Sequence, residues 1–230
     1  MDAKSRRKLE MATRALEFSR GHPDTSPGYI AAVTRLEERL ARADQLATQQ
    51  REGLLDVRAA TARKQELRRA MRQAHLAHLA QVGKAAARDV PELAQKFVFR
   101  PGTTTYLAFR TAARGMAAEA ESQKEVLVKH GLADTVLANL VQALDQFDAA
   151  VEQGSEGRQA HVGASAELRA VADEVVQVVR VMDGLNRYRF MSDAELLAAW
   201  ESASNVLAAP RSGKPAPEPP PPSGEIRPAA

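Results

Sequence analysis

The chain has 230 residues, of which 44% are hydrophobic and 4% aromatic, a formal net charge of +3, and no cysteine. That length holds one large domain or two small ones. The missing cysteine excludes disulfides and thiolate chemistry and suits a cytoplasmic setting. No apolar run approaches the roughly 18 residues of a membrane span. The start, MDAKSRRKLEMATRALEF, is basic but lacks the apolar core of a secretory signal, and Asp2, Glu10 and Glu17 argue against a transit peptide. Much of the hydrophobic share is alanine, the best helix former but a small contributor of buried area. Runs of β-branched and aromatic residues are few, so the expected fold class is all-α.

A first helix is predicted from about residue 3 to Arg20, ending at Gly21 as a left-handed cap. The breaker-rich segment GHPDTSPG, 21–28, follows as a tight connection, with Asp24 or Ser26 as a cap and Pro27 near the first helical position. Between Pro27 and Pro91 there is no other proline, and the apolar residues step mostly by three and four. This predicts one very long helix, about 28–88, with a kink or a change of packing partners near Thr48–Gly53 where the stripe thins. Residues 89–103 form the first clear break, with Phe97-Val98-Phe99 as an apolar plug and Pro101-Gly102 as a turn.

A third helix, capped by a Thr from 103–105, is expected to run to about His130, where KHGL reads as a Schellman ending on Gly131. A fourth helix carries Val136 to Val151 on one broad face and is expected to be broken or weakened at Gly154–Gly157. A fifth, about 158–188, presents Leu168, Val171, Val175, Val178, Val179, Met182 and Leu185 inward. Ser192 with Glu195 makes a capping box for a sixth. From Pro210 the composition turns proline-rich without an apolar period, so 210–230 reads as a disordered or polyproline II tail on a 1–209 bundle.

Reversals near residues 95, 131 and 155 would lay helices three to five beside the C-terminal half of the long helix. The expected architecture is an elongated antiparallel bundle with coiled-coil character, a four-helix half and a thinner three-helix half. In the rival topology the fourth and fifth helices are continuous through Gly154–Gly157.

Charge is uneven. Residues 58–88 hold Arg58, Arg63, Lys64, Arg68, Arg69, Arg72, Lys84 and Arg88 against the single carboxylate of Glu66, whereas 89–210 is net acidic. Arg58, Arg68, Arg69 and Arg72 project within about 100° of one another on a helix, the geometry of an anion-binding face. Lys4, Arg6, Arg7 and Lys8 form a second basic cluster. The competing expectation is that 58–88 neutralises acidic helices of its own chain. No aromatic residue interleaves with either cluster, which removes base stacking as a mode.

His75 and His78 stand at i and i+3 on the apolar side, but no Glu-x-x-His occurs to complete a carboxylate-bridged metal site. Lys64 projects into the same sector and there requires either a carboxylate from Glu119, Glu125 or Asp173, or a snorkelling path to water. Arg187, Tyr188, Arg189, Phe190 and Trp200 cluster at the junction of the last two helices, suited to an interface or to plugging a bundle end.

No catalytic motif, phosphate loop, cofactor motif or metal-ligand set is present. The expected function is therefore a non-enzymatic helical scaffold or assembly protein that acts through protein–protein contact, including self-association. The alternative is an anion-binding coat on nucleic acid or on a lipid or polymer surface, using segments 4–8 and 58–88.

Overall fold

A computed structural model describes residues 1–99 and 105–206. The expected Pro101-Gly102 turn and the proline-rich stretch from 210 lie outside these residues. Among the described residues the fold is all-α, with no strand. Helix α1 spans Ala3–Gly21 and α2 Pro27–Ala70. A π-helical turn, Met71–Leu76, joins α2 to α3 at Ala77–Ala86, and a 3-10 turn follows at Pro91–Gln95. Then come α4 (Tyr106–Ser122), α5 (Lys124–Lys129), α6 (Asp134–Arg189) and α7 (Ala194–Ser204). The chain divides into two compact units: Met1 with Ala41–Val171, and residues 2–40 with those from Ala172 onward. Helices α2 and α6 contribute a segment to each.

The side-chain phase of α2 explains its length. Ala32, Leu36, Arg39, Ala43, Leu46, Gln50, Gly53, Val57, Ala60, Lys64, Leu67 and Met71 step alternately by four and three, and each is buried or half-buried. This is a heptad seam. It runs through Thr48–Gly53 without a break, with Gln50 and Gly53 keeping the phase where the apolar stripe thins. The departure from α geometry comes instead at Met71–Leu76. These two residues are five apart and both fully buried, and the π turn brings them to one face. The expected 28–88 helix is therefore α-helical to Ala70, wound wider for one turn, and α-helical again to Ala86.

A second expectation fails more sharply. Gly154 and Gly157 do not break the chain: α6 is one helix of 56 residues, so the rival topology, with the fourth and fifth helices continuous, is the one observed. Ala150, Gly154, Gly157, His161, Ala164, Leu168 and Val171 also alternate in steps of four and three. The glycines sit on this seam because α2 lies against it. A Cβ built on Gly53 would stand 2.7 Å from the Gly157 carbonyl oxygen, and one on Gly157 would stand 2.9 Å from the Gly53 oxygen. The backbones are in direct contact, and only glycine on both sides leaves room. The His161 ring Nδ1–H donates to the Gln50 carbonyl at 2.9 Å, and Gln50 donates to Ser165 Oγ at 2.6 Å. These bonds and the Arg42–Glu167 pair at 2.6 Å fix the register above the glycines.

The first unit thus groups α2 with α3, α4 with α5, and the first part of α6. Its core holds Leu67, Met71, Leu79, Phe109, Met116, Leu127, Leu140 and Phe147. The expected helix 105–130 is divided at Gln123. Thr105 caps α4 by accepting from the Ala108 N–H, and Gly131 ends α5 at φ 100°. Bonds from Leu132 N to Leu127 O and from Gly131 N to Val128 O complete the Schellman ending. Phe97 of the expected plug is buried against Gly83, whose missing Cβ makes the room.

The four-helix grouping occurs in the second unit rather than around the C-terminal half of α2. There α1, the start of α2, the end of α6 and α7 surround Met11, Ala15, Leu36, Val175, Val179, Met182 and Trp200. Because no reversal occurs near residue 155, the valine-rich part of α6 meets the N-terminal part of α2. Two caps differ from expectation. Gly21 ends α1 without a left-handed backbone, which among the described residues only Gly131 adopts. The cap of α7 is Asp193, which accepts from the Leu196 N–H at 3.0 Å, one residue later than the expected Ser192.

Glycine substitutions separate contact from helix propensity. Gly163 in α6 has open space around its missing Cβ. Gly163→Ala should raise stability by about 0.5–1 kcal/mol. Gly53→Ala and Gly157→Ala carry the same propensity gain but force two backbones apart, so both should lower the melting temperature. Thermal melts followed by circular dichroism check the difference in sign.

Candidate functional site

No group of three or more His, Asp or Glu side chains with metal-binding placement occurs among the described residues. His75 and His78 are both half-buried at the π turn and α3. Burial pushes the His75 pKa below the ordinary 6.5. The His78 Nε2 is enclosed without a hydrogen-bond partner among the described residues. Lys64 finds no carboxylate of the expected set; its ammonium lies 5.0 Å from the centre of the Tyr106 ring. Cation–π attraction replaces the ion pair.

The four arginines of the expected anion face part company. Arg68 is half-buried, with its guanidinium 5.1 Å from the Phe109 ring and 5.9 Å from the Tyr106 ring. It belongs to the packing of α4 on α2. Arg58 and Arg69 are exposed and Arg72 half-exposed, and none of the three has a carboxylate partner among the described residues. The expectation that 58–88 is neutralised by acidic helices of the same chain does not hold for these side chains. Arg63 pairs with Glu66 of its own helix at 2.9 Å. Two carboxylates of α6 are taken by α4: Asp148 holds Arg110 at 2.5 Å and Arg114 at 2.7 Å, and Asp145 holds Arg114 at 3.1 Å. The Arg114 pKa is raised, first by its hydrogen bond to Asp148 and then by that to Asp145. The N-terminal cluster is also largely engaged, Lys8 with Asp173 and Arg6 with Glu10.

In the second unit the five residues of the expected interface have distinct fates. Trp200 is fully buried, and its Nε1–H donates to Asp183 at 2.9 Å. Phe190 is 5% exposed and meets Phe18 edge-on at 5.9 Å. Arg187 is held by Asp183 and by Glu201, each at 2.9 Å. Arg189 donates to the carbonyls of His22 and Pro23 and lies 4.8 Å from the Phe190 ring. It ties down the turn after α1. Only Tyr188 stands out, at 80% exposure.

Tyr188 has apolar companions on α6. Val181, Leu185 and Tyr188 recur at i, i+4 and i+7, so they lie within about 60° of one another on α6. All three are exposed, and Met191 just beyond is 72% exposed. Leu185 was expected to face inward, but Asn186 takes the inward position and is fully buried. Beside the ridge, Gly28, Ala31, Ala32 and Arg35 of α2 with Glu174, Gln177, Val178 and Val181 of α6 line a shallow groove of about 380 Å³. The spacing of Val181, Leu185 and Tyr188 was the available signal. It adjoins the Val175–Val179–Met182 face and merged with it in the periodicity.

Among the described residues no helix is long and apolar enough to cross a membrane. No family model, no curated protein and no solved structure matches the chain.

The histidine gives a pH prediction. A folded pKa below 6.5 means the unfolded chain takes up the proton first, so the fold loses stability as pH falls through 6.5 and is unaffected at pH 8. The fall in melting temperature between pH 8 and pH 5.5 should be smaller in His75→Gln than in the native chain.

Proposed function

We propose that the chain is a non-enzymatic helical scaffold or assembly protein that pairs with other protein chains, a second copy of itself included, through its second unit. The observation that carries this reading is the row of Val181, Leu185 and Tyr188 standing exposed on α6 beside a groove floored by small side chains. A row at i, i+4 and i+7 is how a helix presents anchors to a complementary surface. Contiguous exposed apolar side chains mark contact sites more often than isolated ones do. Ridge and groove belong to one surface, so a two-fold pairing can seat each ridge in the other copy's groove. The lack of convergent polar chemistry among the described residues supports the same reading, and the absence of cysteine supports a cytoplasmic setting.

Light scattering over a range of concentrations tests it. The native chain should show a concentration-dependent rise in mass. The pair Val181→Ser and Tyr188→Ser should remove that rise while leaving the melting temperature nearly unchanged, since both side chains are already in water. Val179→Asp differs. It places a carboxylate in the core of the second unit, costing on the order of several kcal/mol, and should unfold that unit. A native chain that stays monomeric at every concentration, with no change on substitution, would sink self-pairing.

A further inference from the structure

A line of unpaired positive charge runs along one face of α2, the π turn and α3. Arg58, Arg69, Arg72, Lys84 and Arg88 have no carboxylate partner among the described residues, and only Arg72 is less than fully exposed. From Leu67 to Arg88 the sequence contains no acidic residue. The flanking carboxylates are occupied, Glu66 by Arg63 and Asp89 by His130 at 3.1 Å.

The π turn makes this a single face. At 100° per residue, Arg58, Arg69 and Arg72 fall within about 60° of one another, but Lys84 and Arg88 would lie roughly 80–120° away from Arg58 on an unbroken α-helix. One extra residue in the turn takes back about 100° and returns Lys84 to the arginine line; Arg88 follows in the turn just past Ala86. Burial confirms the phase: Ala60, Leu67 and Met71 before the turn and Leu79, Val82 and Ala86 after it all face the core. Opposite that buried side, Arg58, Arg69, Arg72 and Lys84 share one solvent face over about 40 Å of helix, and Arg88 lies just beyond it.

We infer that this face binds the phosphate backbone of double-stranded nucleic acid without reading sequence. The length suits a polymer rather than a small phosphate. Between the cations the exposed residues include Ala62, Gln65, Gln73, Ala77 and Gln81. Glutamine amides donate hydrogen bonds to phosphate oxygens. The absence of an exposed aromatic leaves nothing on which single-stranded bases can stack. None of the large exposed apolar residues falls between Arg58 and Arg88, so the face has nothing to insert into a bilayer, unlike a helix that lies in a membrane interface. This surface belongs to the first unit and does not depend on the pairing surface of the second.

The test is fluorescence anisotropy of a labelled 24-base-pair duplex with the full chain, at salt concentrations from 25 to 200 mM. Binding should weaken with a log–log slope no steeper than about −4.5, the limit for five neutralised phosphates. The triple variant Arg69→Gln, Arg72→Gln, Lys84→Gln should bind at least tenfold more weakly and with a shallower slope, two duplexes of unrelated sequence should bind alike, and Arg69→Lys with Arg72→Lys should bind as the native chain does. A melt of each variant checks that the fold is kept. The inference is overturned by no binding at 25 mM salt, by native-like binding in the triple variant, or by loss of binding in Lys4→Gln with Arg6→Gln instead. Binding to phosphatidylglycerol vesicles but not to the duplex would assign the face to an anionic lipid surface and overturn it as well.

Discussion

The backbone contact between Gly53 and Gly157 governs the first unit. Helices whose seams carry larger side chains pack with axes about 8–10 Å apart, and shorter separations require residues without side chains. The missing Cβ atoms let the Gly53 and Gly157 carbonyls lie against the facing backbone. Gly154 adds to the same seam opposite Ala60. Once α2 and α6 are this close, the polar groups beside the contact have fixed partners, as the His161–Gln50 and Gln50–Ser165 bonds show. The helix-weakening effect of two mid-helix glycines is offset by contact along the seam, so α6 continues where propensity alone would stop it.

The second unit reaches its closure by a different route. It has aromatic side chains where the first seam has glycine. Phe18, His22, Phe190 and Trp200 meet with ring centres between 4.3 and 6.4 Å apart. The polar edge of this cluster is satisfied by Asp183, which accepts from the Trp200 indole and also holds Arg187. Arg189 caps it from the other side through the carbonyls of His22 and Pro23. Most of the polar residues that looked like an interface are used in making this end of the fold. The side chains that stay exposed beside it, Val181, Leu185 and Tyr188, lie one helical step away.

The all-α class, the α5 ending at Gly131 and the burial of the valine face were legible because each depends on local spacing. The continuity of α6 was less so. The alternation of four and three through Ala150, Gly154, Gly157, His161 and Ala164 is present in the sequence, but glycine carries the same letter whether it ends a helix or admits a neighbour. Only the facing Gly53 separates the two meanings. The cation face was half legible. Arg58, Arg69 and Arg72 could be grouped by angle, whereas Lys84 and Arg88 could not be added without the π turn. Arg68 was grouped with them although its environment is Tyr106 and Phe109, residues that folding brings from about forty positions away.

The π turn also bears on how this chain can change over time. A seam that repeats every seven residues tolerates insertion or loss of whole heptads, but a single residue gained or lost rotates everything beyond it by about a quarter turn. At Met71–Leu76 the chain already contains one such residue, absorbed by widening the helix for one turn. The segment beyond it stays in phase because the wider turn absorbs that surplus. A one-residue deletion within 71–76 would restore ordinary α geometry and leave Leu79, Val82 and Ala86 facing the core, whereas a further one-residue insertion elsewhere in the helix would turn them away unless a second wide turn absorbed it.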